Sequence, residues 1–235
     1  MSIDYAFIWT AFKLLLNAIP LTLLMTVLPL LFGSLIAIGI TYIRLYNIRF
    51  LNPIATFFVS FFRSTPAILH IMLIYILSPM LIDYLAKTIG FSVQTNKIPI
   101  AAFVIVALSF TASAYIAEAL RSGILAIHVG EVEAGYAVGL TFSQTIRRLI
   151  LPQSFYYALP NFVNLFVGFL HTTAIAAIVA VPEITGRATV VASTNYSFLE
   201  AYIAAALIYW GLCILIEWAA HLLERKITAF KGGIS

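Results

Sequence analysis

Residues 149–182 contain no Asp, Glu, Lys or Arg, yet polar side chains recur in this apolar run at helical spacing. At 3.6 residues per turn, one helix face would carry Tyr157, Asn161, Asn164, Gly168, His171 and Thr172. Amide, imidazole and hydroxyl groups on an apolar helix either hydrogen-bond to a neighbouring helix or line a polar path. The stripe fits both roles, and a catalytic role for His171 is the weakest interpretation.

A second group of polar side chains interrupts the apolar stretch FFRSTPAILHIMLIY. Arg63, Pro66 and His70 have the spacing of one helix face. We expect an apolar helix to begin near Asn52, which places Arg63 about 18 Å along it at 1.5 Å per residue. An arginine at that depth needs a partner. It binds an acceptor or a ligand carboxylate, or it caps helix-end carbonyls near Pro66, and Thr65 lies beside it.

Membrane helices are the elements that would hold these side chains. Hydrophobic residues make up 63% of the 235 residues and charged residues 9%, against roughly 25% charged in soluble domains. A span needs about 20 apolar residues, and five runs lack charges: residues 14–43, 64–82, 98–117, 149–182 and 201–216. We extend the second run back to Asn52 and the fifth to Leu199. The sequence predicts an all-α integral membrane protein with five spans in one domain, residues 1–235, with a core at about 20–222.

Five spans place the two termini on opposite sides of the membrane. If the N-terminus is outside, four bases lie outside, namely Lys13, Lys87, Lys97 and Arg187, and eight lie inside, namely Arg44, Arg49, Arg121, Arg147, Arg148, Arg225, Lys226 and Lys231. Lys and Arg concentrate on the cytoplasmic side of membrane proteins. We therefore predict an external N-terminus and a cytoplasmic C-terminus. Arg121 also has the (i, i+3) spacing of an ion pair with Glu118.

The polar segment of residues 131–152 then lies in the cytoplasm. Residues 131–138 favour a helix that Gly139 can end, and Thr141 with Gln144 has the spacing of a capping box that starts a second helix. A packing motif of Gly135 and Gly139 between membrane helices is the alternative. Charged side chains make that alternative costly in lipid; they are Glu131, Glu133, Arg147 and Arg148. The segment predicts a helix-turn-helix.

This segment resembles the EAA loop of permease subunits in ATP-binding-cassette (ABC) importers, whose pattern is E-A-A, three residues, G, nine residues, I-x-L-P. Here EAG at residues 133–135 is followed by Gly139 and by LILP at residues 149–152, so Gly135 and Leu149 replace an alanine and an isoleucine. The resemblance implies an ATPase-coupling loop at about residues 118–152. Its coupling residues would be Glu131, Glu133, Ala134, Gly135, Gly139, Arg147 and Arg148.

Other stretches are similar to the polar amino acid branch of these permeases, the histidine/glutamine permease-like family. FFRSTP resembles the F-x-R-G-T-P motif with Ser64 in the glycine position, and AYIAEALRSGI and LPQSFYYALPNFVN also match that branch. The resemblance, over residues 20–222, implies a five-span type I ABC importer permease fold. The implied substrate path comprises Arg63, Thr65, His70, Asn161, Asn164, His171, Thr172 and Thr173.

The same resemblance implies a set of partners in the bacterial inner membrane. The permease would form a dimer with a second copy or a paralogue, sit on two cytoplasmic ABC ATPase subunits that bind ATP and Mg²⁺, and receive cargo from an extracytoplasmic amino-acid-binding protein. The chain itself has no Gly-x-x-x-x-Gly-Lys-[Ser/Thr] motif. We expect no cofactor, metal site, nucleic-acid module or catalytic activity in this chain. A secondary transporter, which commonly shows repeated halves, and an intramembrane serine hydrolase are the alternatives.

One departure from the family pattern bears on the cargo. Where many members carry L-K-D-T-S-L in the fourth span, this chain has LHTTAI at residues 170–175. His171 replaces the lysine, and Thr172 replaces the acidic residue that can receive a cationic amino acid. We therefore expect a neutral polar amino acid, cystine among the possibilities, rather than arginine or lysine.

Overall fold

The computed structural model describes residues 3–231, except the side chains of residues 155–156 and 223–231. Three bases of the orientation prediction, Arg225, Lys226 and Lys231, therefore lie outside the described side chains. Every regular element in the described part is helical, with three short 3-10 turns and one π turn at Ile146–Ile150. The α-helices are α1 (Tyr5–Leu15), α2 (Ile19–Leu45), α3 (Leu51–Ser64), α4 (Ala67–Ile89), α5 (Ile100–Leu125), α6 (Val129–Ala137), α7 (Phe142–Thr145), α8 (Leu151–Thr172), α9 (Ile184–Ala192) and α10 (Phe198–Lys231).

Five helical segments are long and apolar enough to cross a membrane: Tyr5–Leu45, Ala67–Ile89, Ile100–Leu125, Tyr157–Val179 and Phe198–Leu222. This confirms the predicted all-α fold with five spans. The first segment is longer than predicted, because α1 and α2 continue through the 3-10 turn at Leu16–Ala18. Lys13, which the sequence placed outside the spans, therefore lies within that segment, with its ammonium 5.0 Å from the ring centroid of Trp9.

The predicted start of the second span near Asn52 is wrong. The chain from Leu51 to Ile89 forms two helices, α3 and α4, and only α4 is a candidate span. Thr65 and Pro66 separate them with extended backbone, at φ −108°, ψ 147° and φ −64°, ψ 138°. A residue before proline is driven out of the helical region by the proline ring. Arg63 therefore lies in the last turn of α3 and not along the spanning helix.

Helix α5 forms the centre of the larger core and packs against α2, α3, α4 and α8. Two glycines allow close approach of backbones. A Cβ on Gly33 would lie 2.7 Å from the Cβ of Ala112, and one on Gly123 would lie 2.8 Å from the carbonyl oxygen of Ser154. A second, smaller core joins α1 and α9 to the first half of α10. Polar side chains of α3, α5 and α8 meet at one face of the larger core.

Candidate functional site

Glu118 of α5 is surrounded by three arginines from three helices. Its carboxylate accepts a bond from Arg44 of α2 at 2.7 Å and two bonds from Arg121, at 3.1 and 2.5 Å. The Nη1 atom of Arg63 lies 3.8 Å from the same carboxylate. The predicted pair of Glu118 and Arg121 is therefore one part of a cluster that also ties α2 and α3 to α5. Three cations around one anion leave two positive charges in excess.

A cleft of about 270 Å³ lies beside this cluster. Arg63 lines it together with Asn161 and Asn164, the two amides of the polar stripe on α8. The Arg63 guanidinium carbon lies 5.7 Å from the ring centroid of Tyr115, and 43% of the Arg63 side chain is exposed. The structure thus brings together three residues that the sequence predicted from two separate motifs. Guanidinium and amide groups in one cleft can bind carboxylate and ammonium groups of a small ligand.

Thr65 and Thr172 lie in a neighbouring cleft of about 240 Å³. Tyr115 and Leu165 line both clefts, so the two are adjacent parts of one surface. Thr172 donates its hydroxyl to the carbonyl of Gly168 on its own helix. The hydroxyls and the aromatic ring extend the polar lining along α8 beyond the amides.

His70 is buried and connects helices instead of lining a cleft. Its Nε2 atom lies 2.6 Å from the hydroxyl of Thr65, and its Nδ1 atom lies 2.8 Å from the hydroxyl of Thr111 on α5. The exposed fraction of the residue is 2%. His70 therefore holds the break between α3 and α4 against α5, which positions Thr65 beside the second cleft.

His171 and Thr173 lie apart from the other predicted path residues. The Nε2 atom of His171 is 3.1 Å from the Sγ of Cys213 on α10, and His171 lines a groove of about 550 Å³ between α8 and α10. Thr173 is fully buried and donates to the carbonyl of Leu170. The polar stripe covers an arc of about 100° on its helix. Its two edges consequently face different neighbours, so the shared helix face did not imply a shared cleft.

The helix-turn-helix predicted for the EAA segment is confirmed. Helix α6 ends before Gly139, which has a left-handed backbone at φ +83°, and Thr141 with Gln144 makes both bonds of a capping box. A Cβ on Gly135 would lie 2.8 Å from the Leu149 side chain. The small residue thus lets α6 pack closely on the chain that leads into α8.

A polar contact also joins this hairpin to the fourth span. The amide of Gln153, in the first turn of α8, donates to the carboxylate of Glu131 on α6 at 2.5 Å. Five other predicted coupling residues are exposed, namely Glu133, Ala134, Gly139, Arg147 and Arg148. The hairpin, the π turn and α8 follow one another without an intervening loop. A force on the exposed side of the hairpin would therefore act directly on the helix that carries the amides.

Sequence reasoning missed Glu183, the one carboxylate within residues 149–199. It is fully buried between α9 and α10, accepts a bond from the Tyr209 hydroxyl at 2.6 Å, and caps α9 by accepting from the Gly186 amide at 2.7 Å. Burial raises the pKa of Glu183, and these hydrogen bonds oppose that shift. An acid directly before a short helix was the signal that could have found it. Tyr115 and Gln153 carried no comparable signal.

A five-span helical fold with a polar face and a helix-turn-helix between two spans is the architecture of a membrane transport subunit. Comparison with known proteins identifies the family to which this chain belongs. Residues 29–229 match the family of binding-protein-dependent transport system inner membrane components. The match covers most of the chain, so the protein belongs to this family. It is a multi-pass protein of the bacterial inner membrane and a transport component rather than a catalytic one. The secondary transporter and hydrolase alternatives are thereby excluded.

Curated relatives include amino-acid permeases. The chain is 34% identical over 212 residues to the L-cystine transport system permease protein TcyL of Bacillus subtilis, covering 89% of this chain and 85% of the relative. It is 30% identical over 228 residues to the probable amino-acid ABC transporter permease protein PatM of Vibrio harveyi, covering 97% and 98%. A crystal structure of an amino acid ABC transporter with histidines matches with a TM-score of 0.81 at 27% identity, covering 96% of this chain and all of that one.

Proposed function

We propose that this chain is the permease subunit of an ATP-driven importer for neutral polar or zwitterionic amino acids, with cystine as a candidate cargo. The observation that carries the proposal is the cleft in which Arg63 faces Asn161 and Asn164. The cargo carboxylate would bind the guanidinium, and the amide oxygens would accept from its ammonium group. Glu118 also lines this cleft, but its carboxylate is already bound by arginines. The cleft thus offers no unpaired carboxylate to a cationic side chain.

TcyL belongs to an L-cystine transport system, which supports cystine as a candidate cargo. Relatives of similar identity belong to arginine and glutamine transport systems, so the cleft rather than the relatives carries the exclusion of a cationic cargo. Thr65 and Thr172 would continue the path in the neighbouring cleft, and His70 would position Thr65. His171 would belong to the path only where a second permease copy or paralogue covers the groove between α8 and α10, and Thr173, which is fully buried, would not contact the cargo.

The exposed side of the α6–α7 hairpin is the proposed docking surface for cytoplasmic ABC ATPase subunits. In this arrangement Glu133, Ala134, Arg147 and Arg148 contact the ATPase, Gly135 and Gly139 shape the hairpin, and Glu131 ties it to α8. ATP and Mg²⁺ bind to the ATPase subunits, and an extracytoplasmic binding protein delivers the cargo. The N-terminus lies outside and the C-terminus in the cytoplasm, as the distribution of basic residues predicts.

Uptake by the complete complex in proteoliposomes tests the cargo assignment. Unlabelled cystine and other neutral polar amino acids should compete with labelled cystine better than arginine does. The isosteric change Asn164→Asp adds a carboxylate to the cleft and should increase competition by arginine. Asn195→Asp makes the same change on an exposed loop and should have no effect. A wild-type complex that strongly prefers arginine would refute the proposal.

A further inference from the structure

A second cleft of about 500 Å³ shares Arg63, Tyr115 and Glu118 with the one assigned to cargo and differs from it in the rest of its lining. Arg44 and Arg63 contribute two guanidinium groups to it, and α3 contributes three hydroxyls, those of Thr56, Ser60 and Ser64. The hydroxyl residues are four positions apart, so they form a stripe on one face of α3. Guanidinium and hydroxyl groups together are the donors that bind phosphate oxygens.

The three hydroxyls of α3 are available to a ligand. Thr56, Ser60 and Ser64 are exposed. Within the described part of the chain, the Ser60 and Ser64 side chains make no hydrogen bond, while Thr56 makes one long bond of 3.4 Å to Asn52. The arginine cluster around Glu118 supplies the excess positive charge. An anion in this cleft would offset that charge without displacing any of the existing bonds to Glu118.

The neighbouring strip of α3 is apolar and exposed. Phe57 and Phe61 follow Thr56 and Ser60 by one residue, which is about 100° around the helix. The exposed fraction is 71% for Phe57 and 38% for Phe61, and it is 65% for Ile54 and 81% for Phe50, which extend the strip. Helix α2, which carries Arg44, ends one residue later at Leu45, so the cleft lies at the end of a candidate span. A phosphate bound there would have an apolar surface directly beside it for acyl chains.

We infer that this cleft binds the phosphate headgroup of an anionic phospholipid, with the acyl chains along the Phe57 and Phe61 strip. Basic pockets between helices near a membrane surface are sites of this kind. A zwitterionic lipid carries a compensating ammonium group and would bind more weakly to a cluster with excess positive charge. A free phosphate ester shares the headgroup chemistry but gains nothing from the apolar strip.

Native mass spectrometry of the purified complex in detergent tests the site with phosphatidylglycerol and with phosphatidylcholine of the same acyl chains. We expect retained phosphatidylglycerol on the wild type. Loss of a charge-assisted bond in Arg44→Gln should weaken retention about tenfold or more. Ser60→Ala, which leaves every ion pair intact, should weaken it about threefold. Arg49→Gln removes an exposed base that does not line the cleft and should retain lipid like the wild type.

Four results would overturn the inference. One is equal retention of phosphatidylglycerol and phosphatidylcholine by the wild type. Another is equal loss of phosphatidylglycerol in Arg44→Gln and Arg49→Gln, which would indicate a general charge effect. The third is displacement of the lipid by millimolar glycerol phosphate, which would assign the cleft to a free phosphate ester. Ser60→Ala keeps the test decisive if Arg44→Gln disturbs the fold, because normal lipid retention in Ser60→Ala would also count against the site.

Discussion

The bond between Gln153 and Glu131 should set how tightly the hairpin follows the fourth span. Both side chains are partly buried, and the donor and acceptor atoms are 2.5 Å apart. A hydrogen bond to a charged group contributes about 1.5–3 kcal/mol, and partial exposure places this one near the lower end. About 1.4 kcal/mol corresponds to a tenfold change in an equilibrium constant. Gln153→Ala should therefore lower the equilibrium constant between hairpins held against α8 and hairpins released from it about tenfold.

The assay is the ratio of cargo-stimulated to unstimulated ATP hydrolysis by the reconstituted complex. If the hairpin transmits motion through this bond, Gln153→Ala and Glu131→Ala should each lower the ratio, and the double variant should be no worse than either single one. Glu131→Gln keeps a neutral acceptor, so its effect should be smaller. Gln94→Ala, the same change at an exposed residue outside the hairpin, is the matched control. Additive effects in the double variant would show that the two side chains act independently and would refute the reasoning.

Three other changes test separate features. Gly139→Ala should weaken ATPase copurification or stimulated hydrolysis, because a left-handed backbone costs an alanine about 1–2 kcal/mol. Gly130→Ala, on helical backbone, should weaken neither, and equal effects of the two changes would contradict this reasoning. Arg63→Ala should depress uptake while the protein still inserts and assembles, as checked by labelled uptake and membrane expression. The pKa of Glu183 is raised from its ordinary 4.5, so the stabilising contribution of this carboxyl is present at low pH and is lost as pH rises through the folded-state pKa. The melting temperature of the wild type should therefore fall over that pH range relative to the melting temperature of Glu183→Gln. Parallel plots of melting temperature against pH for the two proteins would contradict the assignment.

Local features of this chain could be predicted from its sequence, while pairings between distant segments could not. Apolar run length located the spans, and the glycine turn with its capping box needs only residues close in sequence. The partners of Glu118 show the limit, since Arg44 lies 74 residues away and no periodicity links the two positions. His171 shows the same limit in another form. The helical repeat placed it on the polar face of α8, but the position of α10 determined that this edge of the face lines the groove between α8 and α10.

The second span shows how a local signal can be outweighed. Hydropathy favours a helix running from Asn52 through the apolar stretch, including the proline within it. In the structure the residue before the proline leaves the helical region completely, so one apolar stretch becomes two helices. The break moves Arg63 to a helix end, where its side chain can reach both Glu118 and a cleft.

The π turn at Ile146–Ile150 determines the number of residues at this point of the chain more strictly than it determines which side chains they carry. Such a turn holds one residue more than an α-helical turn, and each residue of a helix corresponds to about 100° of rotation. The hairpin and the amides of α8 lie on either side of this turn, so their relative orientation depends on that extra residue. Deleting one residue here would turn the hairpin by roughly 100° relative to the amides while leaving every contact residue present in the sequence. Substitutions at Ile146 or Ile150 should therefore accumulate among functional variants much more readily than single-residue insertions or deletions in this turn.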